Sequence, residues 1–244
     1  MKISQEENSV LIIAGNDLPA EADQILQSYG ELIRFNASPM AYPPIGSHPD
    51  VFLCNTGRYV VYAPGTPAYV LNAISDYGFP LKIGKRSLGN QYPSTAAYNC
   101  VITNDFLIHK EGCTDKSILE DCQSLQFVSV NQAYTRCSLL ALNERNFITS
   151  DRRIEKVLKA LQCEVLYLPS DDVVLPDYPH GFIGGCMGIL GNRIFTTGSF
   201  NGIKDGYLAR AFIKDRGFEL IELTKGSMID VGGIFFFTRR VSGK

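Results

Sequence analysis

Tryptophan is absent, histidine occurs only three times, and no two cysteines form a CxxC pair. The seven cysteines (54, 100, 113, 122, 137, 163 and 186) are odd in number and scattered along the chain. That pattern argues against a disulfide framework and fits reduced thiols in the cytoplasm. His48, His109 and His180 stand at no ligand spacing from one another or from cysteine, so neither a metal nor a cofactor is expected. An excess of either charge is lacking too: 23 basic residues face 25 acidic ones. Nothing global therefore favours nucleic acid or an anionic membrane as partner. No apolar run approaches the roughly 18 residues that a membrane helix needs. The opening Met1-Lys2-Ile3-Ser4-Gln5-Glu6-Glu7 is polar and acidic, unlike a secretory signal. Also missing is a Gly-rich loop between a strand and a helix; Gly181-Phe182-Ile183-Gly184-Gly185 precedes a strand, which makes it a poor phosphate loop.

What the chain does contain is a repeat. Ser28-Tyr29-Gly30, Asp76-Tyr77-Gly78 and Asp215-Arg216-Gly217 each end a helical pattern with a glycine where a left-handed cap is wanted. A short apolar strand follows each. Two further helix-to-strand passages, into Glu164–Leu168 and Gln126–Val130, keep the layout without the glycine. Upstream lie hairpin patterns whose turns carry Asn, Asp or Gly: Asn55-Thr56-Gly57-Arg58, Thr103-Asn104-Asp105, Asn143-Glu144-Arg145 and Gly191-Asn192-Arg193. Aligning the hairpins places Asp50, Asn99, Cys137 and Cys186 at equivalent strand starts, 49, 38 and 49 residues apart. A fifth start at Asp230 follows after 44 residues, and residues 10–36 supply the strand, helix and strand that complete its unit.

The expected fold is thus α/β, with five ββαβ units in one domain over residues 1–244. The ring closes because its two terminal segments share one unit. A doubly wound parallel sheet is the alternative; it leaves the two antiparallel strands before each helix unexplained. Helix N-termini are expected at Ser150, as a cap, and at Thr114-Asp115.

Five such units, the last one split, resemble the pentein fold, the five-bladed α/β propeller of the guanidino-group-modifying enzymes. The stretches that carry the resemblance, to a bacterial branch of that superfamily, are His48-Pro49-Asp50, Tyr134-Thr135-Arg136-Cys137-Ser138, Gly181-Phe182-Ile183-Gly184-Gly185 and Asp230-Val231-Gly232-Gly233-Ile234. The resemblance implies a central site for a small guanidinium, amidine or amide compound and hydrolase-like or amidinotransferase-like chemistry on C–N bonds. A non-catalytic member, the anti-association initiation factor, binds the large ribosomal subunit, so a propeller binding a protein or ribosomal partner is the other expectation. The enzymes of the superfamily carry their nucleophilic cysteine at the hub end of the last unit. Here that segment, Ser227–Gly233, holds none, and the last cysteine in the sequence is Cys186.

In such a ring the five strand starts face a common centre. Cys186, Cys137, His180 and Asp230 are the candidate catalytic residues, since a thiolate attacks a guanidinium or amide carbon and His moves protons. Asp50, His48, Asn99, Tyr98, Thr135 and Arg136 are the candidate substrate-binding residues, with carboxylates pairing a cationic fork. Blander readings stand beside these. Asp230 could cap the backbone of the glycines after it, His180 and His109 could lie at the surface, and the cysteines could be inert packing residues. A small molecule in the central cavity is the expected ligand.

Overall fold

The computed structural model describes residues 10–36 and 38–239, and it holds five three-stranded sheets of identical topology. In blade I, Leu53–Asn55 pairs antiparallel with Val60–Tyr62, helix Ala68–Asp76 crosses over, and Leu81–Ile83 returns parallel to the second strand. Blade II repeats this with Val101–Ile102, Phe106–His109, helix Lys116–Asp121 and Gln126–Ser129. Blade III uses Leu139–Ala141, Asn146–Thr149, helix Arg152–Ala160 and Glu164–Tyr167. Blade IV uses Met187–Leu190, Arg193–Thr196, helix Gly206–Asp215 and Glu219–Glu222. Blade V joins the two ends: Ile234–Thr238 pairs antiparallel with Val10–Gly15, which pairs parallel with Glu31–Phe35 after helix Glu21–Gln27. The result is the five-fold α/β propeller expected from the repeat.

Local chemistry explains the elements. Four of the five crossover helices bury a pair of apolar residues four apart: Ala22 and Leu26, Val70 and Ile74, Ile154 and Leu158, Ala209 and Ile213. That spacing lays both side chains on one face, the face each helix turns to its sheet. Middle strands are flanked by partners on both edges and are largely buried; Val10–Gly15 is buried throughout. Gly57 (φ 85°) and Gly191 (φ 58°) make the hairpin turns of blades I and IV. In blade III the side chain of Asn143 does that work by accepting from the backbone N–H groups of Arg145 and Asn146, both at 3.0 Å.

Some local expectations hold and others are corrected. Gly78 and Gly217 take the left-handed caps, at φ 80° and 77°, and Gln162 fills that role in blade III at φ 61°. Gly30 has no positive φ; a Cβ there would overlap the carbonyl of Val10, so close packing demands glycine. Asp151, not Ser150, caps its helix, accepting from Arg153 N at 2.6 Å. Asp50 and Cys137 lie within single helical turns, Pro49–Phe52 and Thr135–Ser138, and Cys186 ends a 3-10 turn, Ile183–Cys186, so each strand begins after the expected start. Among the described residues no helix is long and apolar enough to cross a membrane.

These hub turns link the blades in a closed circuit. Asn99 Nδ2 donates to Asp50 O (3.1 Å), joining blades I and II. Asn99 Oδ1 accepts from Arg136 N at 2.8 Å, joining II and III. Arg136 Nη1 and Nη2 donate to the carbonyls of Gly184 (2.6 Å) and Met187 (2.9 Å), joining III and IV. Gly233 N donates to Gly185 O at 2.8 Å, joining IV and V. Gly232 packs on His48, closing V against I.

Candidate functional site

A cavity of about 630 Å³ opens at this hub. Its floor holds His48, Cys137 and Asp230, delivered by blades I, III and V. Each offers a polar atom, and these atoms lie within 4.8 Å of one another. Asp50 stands directly behind: the Cys137 thiol donates to Asp50 Oδ2 at 2.9 Å. Asn99 Nδ2 also approaches Cys137 Sγ, at 3.3 Å.

The position of Asp230 is set by the glycine-rich segment. Its Oδ2 accepts from Phe182 N at 2.9 Å and its Oδ1 from Gly232 N at 3.1 Å. A Cβ on Gly185 would overlap the carboxylate, and one on Gly181 would come within 2.6 Å of Asp230 Cβ. The segment Gly181–Gly185 therefore makes room for an acid. The expected cap from Asp230 to the following glycines is one of these two bonds, and the carboxylate still lines the cavity.

Burial governs the protonation of this floor. Asp50 is fully buried, and its Oδ1 has no hydrogen-bond partner. Desolvation pushes its pKa up to about 6, opposed by His48 and Arg136. Burial also drives the Cys137 thiol well above its ordinary value, reinforced by the charges of Asp50 and Asp230. Cys137 at rest is thus a thiol with its proton aimed at Asp50. Both ring nitrogens of His48 are buried without a hydrogen bond, and Nδ1 lies 3.8 Å from Asp230 Oδ1. An imidazole with neither nitrogen engaged is free to bond whatever enters.

The remaining candidates scatter. His180 lines the wall, where its Nδ1 lies 2.8 Å from Gly181 O and 3.2 Å from Ser170 Oγ. Cys186 is fully buried outside the cavity lining, its thiol donating to Phe182 O at 3.4 Å. Asn99 and Arg136 brace the hub as described. Thr135 donates to Gln132 O at 2.7 Å, and Tyr98 to Arg86 O at 2.6 Å, so both hydroxyls hold the backbone and neither residue lines the cavity. His109 is not at the surface: it is fully buried, 2.8 Å from both Thr114 Oγ1 and Ala133 O, and desolvation lowers its pKa to about 4.

Sequence reasoning missed the tyrosines Tyr42, Tyr92, Tyr134 and Tyr178, which line the upper cavity from loops without periodic pattern. It brought His48, Cys137 and Asp230 to one centre but did not read them as a donor set able to hold a divalent cation such as zinc. Ligand spacing along the chain cannot register residues 89 and 93 positions apart that meet through ring closure.

The fold and hub cavity together define a pentein-fold protein, and solved structures agree. Over 89% of this chain and 95% of the other, it superposes on DDAH from Pseudomonas aeruginosa, complexed with citrulline, with TM-score 0.51 at 12% identity. Over 98% and 96% it matches SxtG, an amidinotransferase from Microseira wollei, with TM-score 0.55 at 12% identity. A putative arginine deiminase from Porphyromonas gingivalis matches over 97% and 98%, with TM-score 0.52 at 10% identity. Curated proteins give no sequence match. The chain belongs to the family of unknown function DUF6873, whose model matches residues 13–235.

Proposed function

We propose that the hub cavity binds a small guanidinium or amidinium cation over Asp230, and that Cys137 cleaves a C–N bond of it. The observation that carries this reading is the thiol–carboxylate pair of Cys137 and Asp50, at 2.9 Å, in a floor shared with Asp230 and an unengaged His48. A cation placed there reverses the electrostatics that hold the thiol protonated. The proton then passes from Sγ to Asp50 Oδ2 as Sγ bonds to the amidino carbon. His48 gives a proton to the leaving nitrogen as the C–N bond breaks. Water adds to the thiouronium or thioimidate carbon, His48 takes its proton, and the C–S bond breaks as Asp50 returns its proton to Sγ. The products are an amine or ammonia and a ureido compound or amide.

The named relatives are a citrulline complex, an amidinotransferase and a putative arginine deiminase, which supports carrying guanidino chemistry to this chain as a proposal. The neutral thiol also favours a second reading, a site that binds the cation without turnover. Incubation with a panel of guanidines and amidines, followed by assay for released ammonia or amine and ureido product, separates the two. Turnover lost in Cys137→Ala and kept in Cys186→Ala is expected. Saturable binding without product supports the second reading. If Cys137→Ala turns over like the wild type, the cleavage proposal is wrong.

A further inference from the structure

The walls of the cavity state what the rest of the ligand is like. Two aromatic pairs line it: Tyr92 with Tyr134, centroids 5.4 Å apart, and Tyr42 with Tyr178, 6.3 Å apart. The Tyr42 and Tyr134 hydroxyls lie 2.8 Å apart, and the Tyr134 hydroxyl also bonds to Thr95, so these oxygens satisfy one another. Tyr92 and Tyr178 are each 47% exposed and stand where the cavity meets solvent. The polar groups among them are the amides Asn90, Gln91 and Gln132 and the His180 imidazole, whose Nδ1 lies 2.8 Å from Gly181 O. Among the described residues no arginine or lysine lines the cavity. Arg136 directs its guanidinium to two backbone carbonyls, and Lys110 packs over the Tyr92 ring, 5.4 Å from its centroid, outside the lining.

We infer that the substrate is a guanidine or amidine without a carboxylate, whose aryl or alkyl tail is gripped by the tyrosine walls. This rests on the reading of the floor as an amidinium site and adds the tail. A carboxylate on the ligand would be stripped of water against aromatic rings, with no arginine or lysine to pair it and Asp230 repelling it from below. A planar or alkyl tail loses nothing polar and buries its surface between rings. Space agrees: about 630 Å³ lies in the range that takes a drug-sized molecule, far more than a bare guanidinium fills. Free amino acids carrying a guanidino group are thereby disfavoured, by an electrostatic argument independent of the cleavage chemistry.

Titration calorimetry on the wild-type chain tests this with benzamidine, butylguanidine and 4-guanidinobutanoate; the last two differ only in an end group. Butylguanidine and benzamidine are expected to bind at least about tenfold tighter than 4-guanidinobutanoate. Tyr178→Ala should weaken benzamidine more than butylguanidine, and Gln132→Arg should move the preference toward the carboxylate. Equal or tighter binding of 4-guanidinobutanoate by the wild type overturns the tail inference and leaves the amidinium site standing. Binding of none of the three overturns the amidinium site itself.

Discussion

Cys137 and Asp50, 87 positions apart in the chain, meet through a 2.9 Å hydrogen bond from thiol to carboxylate, both groups withdrawn from water. Because the carboxylate charge and that hydrogen bond both raise the thiol's pKa, Asp50→Asn should lower it. Iodoacetamide is therefore expected to alkylate Cys137 several-fold faster in Asp50→Asn than in the wild type at pH 8, read by mass spectrometry of the Cys137 peptide. The same change removes the proton acceptor, so turnover should fall by about a hundredfold or more. Faster alkylation with lost turnover separates a base from a residue that merely shapes the pocket. Parallel loss of both would show that Asp50 acts on structure alone.

Asp50 also sets a pH signature of stability. Its carboxyl titrates at about 6 when folded against an ordinary 3.8. Between those values the folded chain binds more protons than the unfolded one, so stability falls as pH rises through that window. The contribution is fully present below about pH 4 and lost above about 6, a difference of about 3 kcal/mol from the shift, less whatever relaxation recovers. Urea unfolding should find Asp50→Asn more stable than wild type at pH 8 by about 1–3 kcal/mol, with the advantage gone near pH 4. A constant difference across that range would contradict the assigned burial.

How far the sequence discloses this site depends on which contacts are local. Repeat spacing, helix caps and hairpin turns are set within a few residues, and they carry the architecture as far as the sharing of blade V between Val10–Phe35 and Ile234–Thr238. Alignment of strand starts also brings Asp50, Cys137 and Asp230 to one centre without any contact being visible. It cannot tell which aligned residue faces the cavity. Cys186 and Cys137 occupy equivalent positions, yet of the two only Cys137 lines it; Cys186 ends the 3-10 turn Ile183–Cys186 with its thiol donating to Phe182 O. Arg136 resembles a ligand-binding residue in sequence for the same reason: the carbonyls of Gly184 and Met187 that take its protons lie about fifty positions away.

His109 gives the opposite pH dependence to Asp50. Its folded pKa of about 4 lies below the ordinary 6.5, so the unfolded chain binds the extra proton in that window and stability falls as pH drops through it. His109→Gln, which can still reach the Ala133 carbonyl, should flatten the stability loss between about pH 6.5 and 4 while costing about 1–2 kcal/mol at pH 8. Chemical denaturation at three pH values reads both effects; an unchanged acid slope would show that the ring is protonated in the folded chain.

Arg136 is the last test, because it distinguishes a brace from a ligand contact. Its guanidinium donates to two carbonyls of blade IV and lies over the Phe235 ring, 5.7 Å from the centroid. The left-handed Gly233 (φ 78°) leaves room for it, since a Cβ there would stand 2.6 Å from Nη2. A charged hydrogen bond of this kind contributes about 1.5–3 kcal/mol, and an ammonium can replace one of the two but not the planar fork. Arg136→Lys is therefore expected to lower unfolding stability by about 2 kcal/mol. Arg136→Met, which leaves both carbonyls unpaired, should cost more. If Arg136 is a brace alone, butylguanidine should bind the folded Arg136→Lys chain within about threefold of wild type. A tenfold loss of affinity with unchanged stability would instead make Arg136 a ligand contact.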